Sequence, residues 1–319
     1  MPPIGDLYER VANGPAVPAG LPLVILLTGF TDAGSAVAGL IDYARDELDA
    51  EPIVVFSNDA LLDYRARRPI VSFEEDHLTD YQPPRLELSL MRDALGQPFL
   101  LLAGYEPDFA WDSFADTVLR FSTVLEVATV TWVHAISMPV PHTRPIGTTV
   151  SGTREELTAA HSVWRPHTQV PATAGHLLEY RFAESGARIA GFVLLIPHYL
   201  ADTEYPGATI AAMDRVMTAT GLVFTADELR EENREYVVKV DEQVEGNEEL
   251  SRMVRGLEER YDAYMAGMTG GVVTPPLLDD SDLPSADELA AELERYLASR
   301  PSPDDDKRGG GAHPSPRSE

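Results

Sequence analysis

Cysteine is absent from the 319 residues, and with it go disulfides, thiolate metal sites and cysteine nucleophiles. Lysine is nearly absent: Lys239 and Lys307 are the only two. A phosphate-loop lysine, a Schiff-base lysine and the ammonium groups that usually grip nucleotide phosphates are therefore missing from everything before residue 239. Long apolar runs are missing too. No stretch approaches the roughly eighteen residues of a membrane span, so no membrane partner is expected. The opening, MPPIGDLYERVANG, has neither a basic leader nor an apolar signal core, which makes the cytoplasm the expected location. Positive charge is scarce overall, with 25 Lys+Arg against 52 Asp+Glu and a formal net charge of -27. Nucleic acid, whose phosphates reward clustered Lys and Arg, is excluded as a partner class.

What is present is ample core material, 44% hydrophobic residues, arranged in an alternating pattern. LPLVILLTGF (residues 21–30) is a short apolar run bounded by turn residues, as a buried parallel strand would be. Val37, Leu40, Ile41, Ala44 and Leu48 then recur at helical intervals, and PIVVFS (52–57) is a second strand. PFLLLAGY (98–105), a helical stretch over 111–127 and TVTWVHAIS (129–137) repeat the unit, with residues 86–91 able to pair antiparallel with the first of these strands. A helix over 172–184, a strand in RIAGFVLLIPHYL (188–200) and a helix over 208–220 follow. The alternation predicts an α/β fold: a three-layer α/β/α sandwich on a mainly parallel sheet, occupying residues 1–224.

From residue 225 the chain changes character. Residues 225–299 hold 20 acids against 7 bases. Eleven positions from 229 to 264 alternate spacings of four and three, and eight of them, Leu229, Tyr236, Val240, Leu250, Val254, Leu257, Tyr261 and Tyr264, are apolar or tyrosine, with Asn233, Gln243 and Asn247 the polar exceptions: the seam of a coiled coil or helical hairpin over 225–267, with a turn at Gly246 and Asn247. That seam serves equally to pack on its own domain or to meet another copy. A linker over 268–284 leads to a short acidic helix, 285–299, whose Leu289, Leu293 and Leu297 form one apolar face for docking on this chain or on a partner. Residues 300–319 have no apolar face and are expected to be disordered.

The segment TGFTDAGSA joins the first strand to a helix start, where free backbone N–H groups favour anions. Thr28, Gly29, Asp32, Gly34 and Ser35 form a candidate anion or ligand site, although neither a dinucleotide nor a phosphate-loop spacing is present. The competing reading makes Asp32 or Ser35 a helix cap and the glycines turn formers. DYRARRP sets Arg65, Arg67 and Arg68 together, an anion clamp or a set of ion pairs to acids nearby. In GYEPDFAW, Glu106 and Asp108 follow a strand end, where α/β sheets place acid and base groups, but also where acids favour a helix start. MPVPHTRPIG has the prolines of a fixed functional or interface loop. His134, His161, His167, His176 and His198 lack metal-ligand spacing, so neither a metal nor any other cofactor is expected.

Taken in order, GFTDAGSA, DYRARRP, GYEPDFAW and MPVPHTRP, each after its own strand, resemble the proteasome assembly chaperone family, second-subunit type, in its actinobacterial branch. The resemblance covers roughly residues 20–265. It implies a three-layer α/β/α fold similar to nucleoside phosphorylases and peptidyl hydrolases, homotrimers or larger rings, and proteasome subunits as partners. An older link of such relatives to ATP-grasp enzymes fits poorly with the lysine shortage. Family chaperones often end in a hydrophobic residue, a tyrosine and a final residue, whereas here the last residues are Pro316, Arg317, Ser318 and Glu319. Partner contacts are therefore expected on folded surfaces or acidic helices. The reading is a non-catalytic, self-associating protein-binding or assembly scaffold. The alternative is a hydrolase or phosphorylase-like enzyme using the Thr28–Ser35 loop, the arginines, and Glu106 or Asp108.

Overall fold

The computed structural model describes residues 7–12, 14–164 and 167–270. The chain divides into two compact units, residues 1–261 and 262–319; of the second, only the end of the last helix lies among the described residues. The elements in chain order are β1 (Tyr8–Arg10), β2 (Pro22–Thr28), α1 (Ala36–Glu47), β3 (Ala50–Phe56), α2 (Asn58–Leu61), β4 (Ile70–Glu74), β5 (His77–Gln82), β6 (Glu87–Arg92), β7 (Pro98–Tyr105) and α3 (Trp111–Val124). They continue with β8 (Thr129–Met138), β9 (Gly147–Gly152), α4 (Glu155–His161), α5 (Ala174–Glu184), β10 (Ile189–Pro197), α6 (Pro206–Thr220), α7 (Asp227–Glu245) and α8 (Glu248–Gly270).

Eight strands form one sheet in the order β1-β3-β6-β7-β2-β8-β10-β9. The central strands β7, β2, β8 and β10 are parallel neighbours. β6 and β9 flank them antiparallel, and β3, antiparallel to β6, runs in the direction of the central strands. The apolar run in β2 follows from burial on both faces: Leu23 and Ile25 enter one layer, Val24 and Leu26 the other. One layer is α1 with α6, whose Val37, Leu40, Ile41 and Met213 meet Val24, Leu26 and Leu194. The other is α3 with α5, whose Phe114, Val118, Leu178 and Phe182 meet Leu23, Ile25 and Leu100. This is the α/β sandwich read from the alternation.

Three features depart from the sequence reading. The β2-α1-β3 crossover skips two strands, because β6 and β7 insert between its ends. GTTVSG, given no element in the sequence reading, is edge strand β9; its Gly, Thr and Ser composition hides a strand that buries only alternate residues. IVSFE and HLTDYQ form a separate two-stranded ribbon, β4-β5, that joins no other strand among the described residues. Its acidic turn and exposed apolar positions gave no core-like pattern.

Helices α7 and α8 meet at a turn capped by Asn247, whose side chain accepts the N–H groups of Glu249 and Leu250. Val240 is buried, and Leu229 and Tyr236 pack with it on the α1/α6 layer. Val254 and Leu257 are buried as well, with Leu250 and Tyr261 half-buried. The seam is thus closed within the chain rather than presented as an open stripe. Helix α8 runs to Gly270, a short way into the stretch 268–284 expected as a linker, since nothing in AGMTGG before that point breaks a helix outright. The rest of that stretch, the expected helix at 285–299 with Leu289, Leu293 and Leu297, and the tail at 300–319 lie outside the described residues.

The proline-rich loop after β8 holds this hairpin. Tyr199 Oη accepts the His142 backbone N–H at 2.7 Å and lies 2.6 Å from His142 Nδ1. His142 Nε2 is 3.0 Å from Asp241 Oδ1. The consistent assignment has Tyr199 donating to Nδ1 and Nε2–H donating to Asp241. Next to it Arg144 pairs with Glu258 at 3.3 Å, and Thr143 donates to the same carboxylate.

Backbone sterics make one position in β7 sharply testable. Gly104 has φ 142°, and a Cβ there would overlap the Arg85 carbonyl oxygen. Gly104→Ala is expected to lower unfolding stability by about 3 kcal/mol or more. Gly96, with φ 78° and open space around it, is the control: Gly96→Ala should cost only about 1 kcal/mol. Urea unfolding of the two variants measures the difference, and equal costs would refute the close approach.

Candidate functional site

All the loops singled out from the sequence leave the carboxyl ends of β2, β3, β7 and β8, on one side of the sheet, where α/β folds place their ligand sites. A small space there, ≈ 10 Å³, is lined by Gly29, Phe30, Thr31, Glu106, Trp132 and His134, with Thr173 and Gly175 from the start of α5. It has room for about one water.

Glu106, at the end of β7, is buried. Its Oε2 accepts the Phe30 N–H at 3.0 Å and its Oε1 the Ala174 N–H at 2.6 Å. One carboxylate thereby ties the β2 loop to the first turn of α5, satisfying a donor that the helix leaves open and sitting at its positive end. Gly29 is required beside it, because a Cβ would fall on the Glu106 side chain. Helix α5 starts with a capping box in which His176 replaces the usual Glu or Gln. Thr173 Oγ1 accepts the His176 N–H at 3.3 Å, and His176 Nδ1 accepts the Thr173 N–H at 3.1 Å.

Two histidines line up beneath this tie. His134 Nε2 is 3.1 Å from Thr31 Oγ1; its ring stacks on Trp132 at 6.0 Å and meets His176 edge-on at 5.9 Å. Burial, helped by His176, pulls the His134 pKa down to about 4. Burial also lowers His176, against the pull of Glu179 and Glu106. Both rings are neutral at pH 7. Trp132 Nε1 donates to Glu179 at 2.5 Å, and Ser151 donates to the same oxygen at 2.9 Å.

Asp32 caps α1 with both oxygens, accepting the N–H groups of Val37 and Ala38 at 2.8 Å each. Burial raises its pKa in spite of those bonds. The free N–H groups that made the Thr28–Ser35 loop an anion candidate are thus filled by the loop's own carboxylate. Thr28 donates to Gly104 O at 3.3 Å; Gly34 exchanges backbone bonds with Ala201 and Tyr205; Ser35 sits at φ 52° with no capping bond from its side chain. The arginines do not form a clamp on this loop. Arg67 is ion-paired with Asp108, donates to Glu106 O at 2.6 Å and lies over the Tyr105 ring. Arg65 pairs with Asp63, and Arg68 is exposed. Asp108 also accepts the Asp63 N–H at 2.7 Å, so neither acid proposed for catalysis is idle.

Sequence reasoning missed Thr31, Trp132 and Thr173 and treated His134 and His176 only as non-ligands. The signal that was available is Thr-x-x-His at 173–176 before a helical run. Among the described residues no group of three or more His, Asp or Glu side chains is placed to hold a metal.

Two substitutions probe the cleft. In Glu106→Gln one of two backbone donors must face an amide NH₂, so stability should drop by about 1–3 kcal/mol in chemical denaturation; an unchanged midpoint would refute the double tie. His134 has a folded pKa of about 4 against 6.5 for the unperturbed group, so the unfolded chain binds its proton first as pH falls. The stability present above pH 6.5 is therefore lost down to about pH 4, by about 3 kcal/mol in total. His134→Gln should flatten stability against pH across that window, and an unaltered slope would refute the assignment.

Comparisons with known proteins agree with this architecture. A Corynebacterium glutamicum protein of unknown function is 31% identical with a TM-score of 0.78, covering 81% of this chain and 98% of its own. The Mycobacterium tuberculosis unknown function protein Rv2714 is 36% identical with a TM-score of 0.78, covering 86% and 94%. The M. tuberculosis proteasome-assembly chaperone homologue Rv2125, at 23% identity and TM-score 0.67 over 73% of this chain and 100% of its own, shares the fold. No curated protein matches. The PAC2 family model matches residues 26–244, and the chain belongs to the PAC2 family.

Proposed function

We propose that this protein is a non-catalytic, self-associating scaffold that binds other proteins in the cytoplasm, with proteasome subunits as the partner class. Family membership supports an assembly-related role, and the name of the M. tuberculosis chaperone homologue points the partner class toward the proteasome. The observation that carries the non-catalytic part is the use of the cleft's polar groups. Both Glu106 oxygens are held by backbone N–H groups, Asp108 is held by Arg67 and a backbone N–H, and Asp32 fills the α1 start. A general acid or base must reach a substrate proton. These groups instead reach other parts of the same chain, around a space of ≈ 10 Å³. The enzyme alternative has no comparable support.

Self-association as a homotrimer or larger ring belongs to the same proposal. Among the described residues no helix is long and apolar enough to cross a membrane.

Affinity purification of the tagged full chain from its host is expected to return one stoichiometric protein partner, identified by mass spectrometry as a proteasome subunit. Calorimetry with ATP and magnesium is expected to show no heat of binding, because no lysine precedes Lys239 and the α1 start is filled by Asp32. Saturable ATP binding at about micromolar affinity would overturn the scaffold reading; recovery of the chain alone from a proteasome-containing host would remove the proteasome from it.

A further inference from the structure

Helices α1 and α6 approach closely at Gly39, where a Cβ would fall on the Thr209 hydroxyl. Thr209 is only 6% exposed, yet its hydroxyl has no hydrogen-bond partner among the described residues. Thr218 and Thr220 of the same helix return theirs to the carbonyl oxygens of Asp214 and Val216 at 2.7 and 2.6 Å. A buried hydroxyl left unpaired costs free energy that a bound group would recover. Thr209 lines a cavity of ≈ 440 Å³ between α1, α6 and the start of α7. Small-molecule sites have about that size, roughly 300–1,000 Å³.

Charge selects what fills it. Its walls carry five carboxylates, Asp46 and Glu47 from the last turn of α1 and Asp227, Glu228 and Glu232 from the beginning of α7. Among the described residues no Lys, Arg or His lines it. Asp227 pairs with Arg230 at 3.7 Å, whereas Asp46, Glu47, Glu228 and Glu232 have no ion pair among the described residues. Asp227 and Glu228 stand where acids commonly do, at the positive end of a helix. Asp46 and Glu47 stand at the negative end of α1, where carboxylates are disfavoured. A cation in the cavity relieves that cost and the repulsion between the two groups of acids.

The remaining lining selects the shape of the cation. Tyr43 is held in place, its Oη accepting the Thr225 N–H at 3.0 Å and its ring meeting Phe224 edge-on at 6.0 Å. With Leu229 it adds an aromatic and aliphatic surface, suited to the methylenes of an extended chain. A bare metal ion fits poorly, since among the described residues no three His, Asp or Glu side chains are placed to hold one. An amino acid or a nucleotide would bring its own negative group among the carboxylates. Charges spread over two helices, together with apolar surface, match a linear molecule whose ammonium groups are separated by methylenes.

We infer that this cavity binds a linear aliphatic polyamine, its ammonium groups against Asp46, Glu47, Glu228 and Glu232 and one of them donating to the Thr209 hydroxyl. Helix α1 starts at the carboxyl end of β2 and runs back along the sheet, so Asp46 and Glu47 stand at the opposite end from the Glu106 cleft. The site is thus separate from that cleft, and it does not depend on the scaffold reading. Its occupant ties α1 to the start of the acidic hairpin.

The test is calorimetry of the full chain with spermidine at low ionic strength. Saturable binding is expected, one molecule per chain at about 10–100 µM, weakening as salt is added. Asp46→Asn with Glu47→Gln, and separately Glu228→Gln with Glu232→Gln, should each weaken it about tenfold or more. Glu74→Gln with Glu75→Gln removes the same charge at the ribbon turn and should leave it unchanged. Thr209→Val keeps the shape and has no internal bond to lose, so the urea midpoint should hold or rise while binding falls about threefold or more. A Thr209→Val chain that binds as the parent does would overturn the inference, since the hydroxyl is the buried group assigned to the ligand. No saturable binding up to about 5 mM, or equal weakening by the ribbon-turn control, would leave only attraction to an acidic surface and also overturn it. Magnesium chloride and a capped trilysine peptide, of the same charge as spermidine, complete the comparison. Magnesium bound as tightly and lost in the same variants would assign the cavity to a metal ion. Trilysine bound more tightly than spermidine would assign it to a basic protein segment, and either result defeats the inference.

Discussion

The Glu106 carboxylate is the tie on which the candidate site depends. It stands at the end of a central strand and takes one backbone N–H from the loop after β2 and one from the first turn of α5. A buried carboxylate has to be hydrogen-bonded to be tolerated at all, and here two donors from two different elements share it. The Glu106 side chain that makes both bonds also occupies the place a side chain at residue 29 would need. The capping box at Thr173 and His176 then fixes the helix start that supplies one of the donors.

Around the tie the polar side chains find their partners within the chain. His134 and His176 are held neutral by burial, Trp132 stacks on His134 and meets His176 of α5 edge-on, and Asp32, Asp108 and Glu179 are each engaged. Catalytic clefts are recognised by the opposite condition, groups held ready but unsatisfied until a substrate arrives. The α/β fold often places an active site at this position, and the carboxylates found there bond to other parts of the same chain.

The fold was legible in the sequence wherever burial on both faces forced a continuous apolar run, as in residues 21–30, 98–105 and 188–200. The helical hairpin was legible because its period is maintained over eight positions. Edge strand β9 and the ribbon were not, since elements buried on one face or neither carry no such constraint. At the candidate site the motifs pointed to the correct end of the sheet but not to the roles. GFTDAGSA and GYEPDFAW are separated by some seventy residues, and nothing local reveals that Glu106 bonds to Phe30 rather than to a ligand. The arginine trio illustrates the same limit. Its three members look alike in sequence, yet Arg67 is tied to Asp108 while Arg65 and Arg68 reach solvent.

The consequence is a division of labour at one end of the sheet. The loops after β2 and β7 hold the sandwich together through Glu106 and Asp108. The loop after β8 holds the acidic hairpin through His142, Tyr199 and Asp241. The segment after β3 is different, because only its first part, Leu61 to Arg67, is bound into the joint, through Asp63, Arg67 and Asp108. The remainder projects as a ribbon with apolar side chains in solvent. A rigid joint supports such a projection in a way that a mobile loop would not, since a surface offered to a partner costs less ordering entropy when its root is already fixed. The interactions that fill the cleft therefore also fix the root of the ribbon.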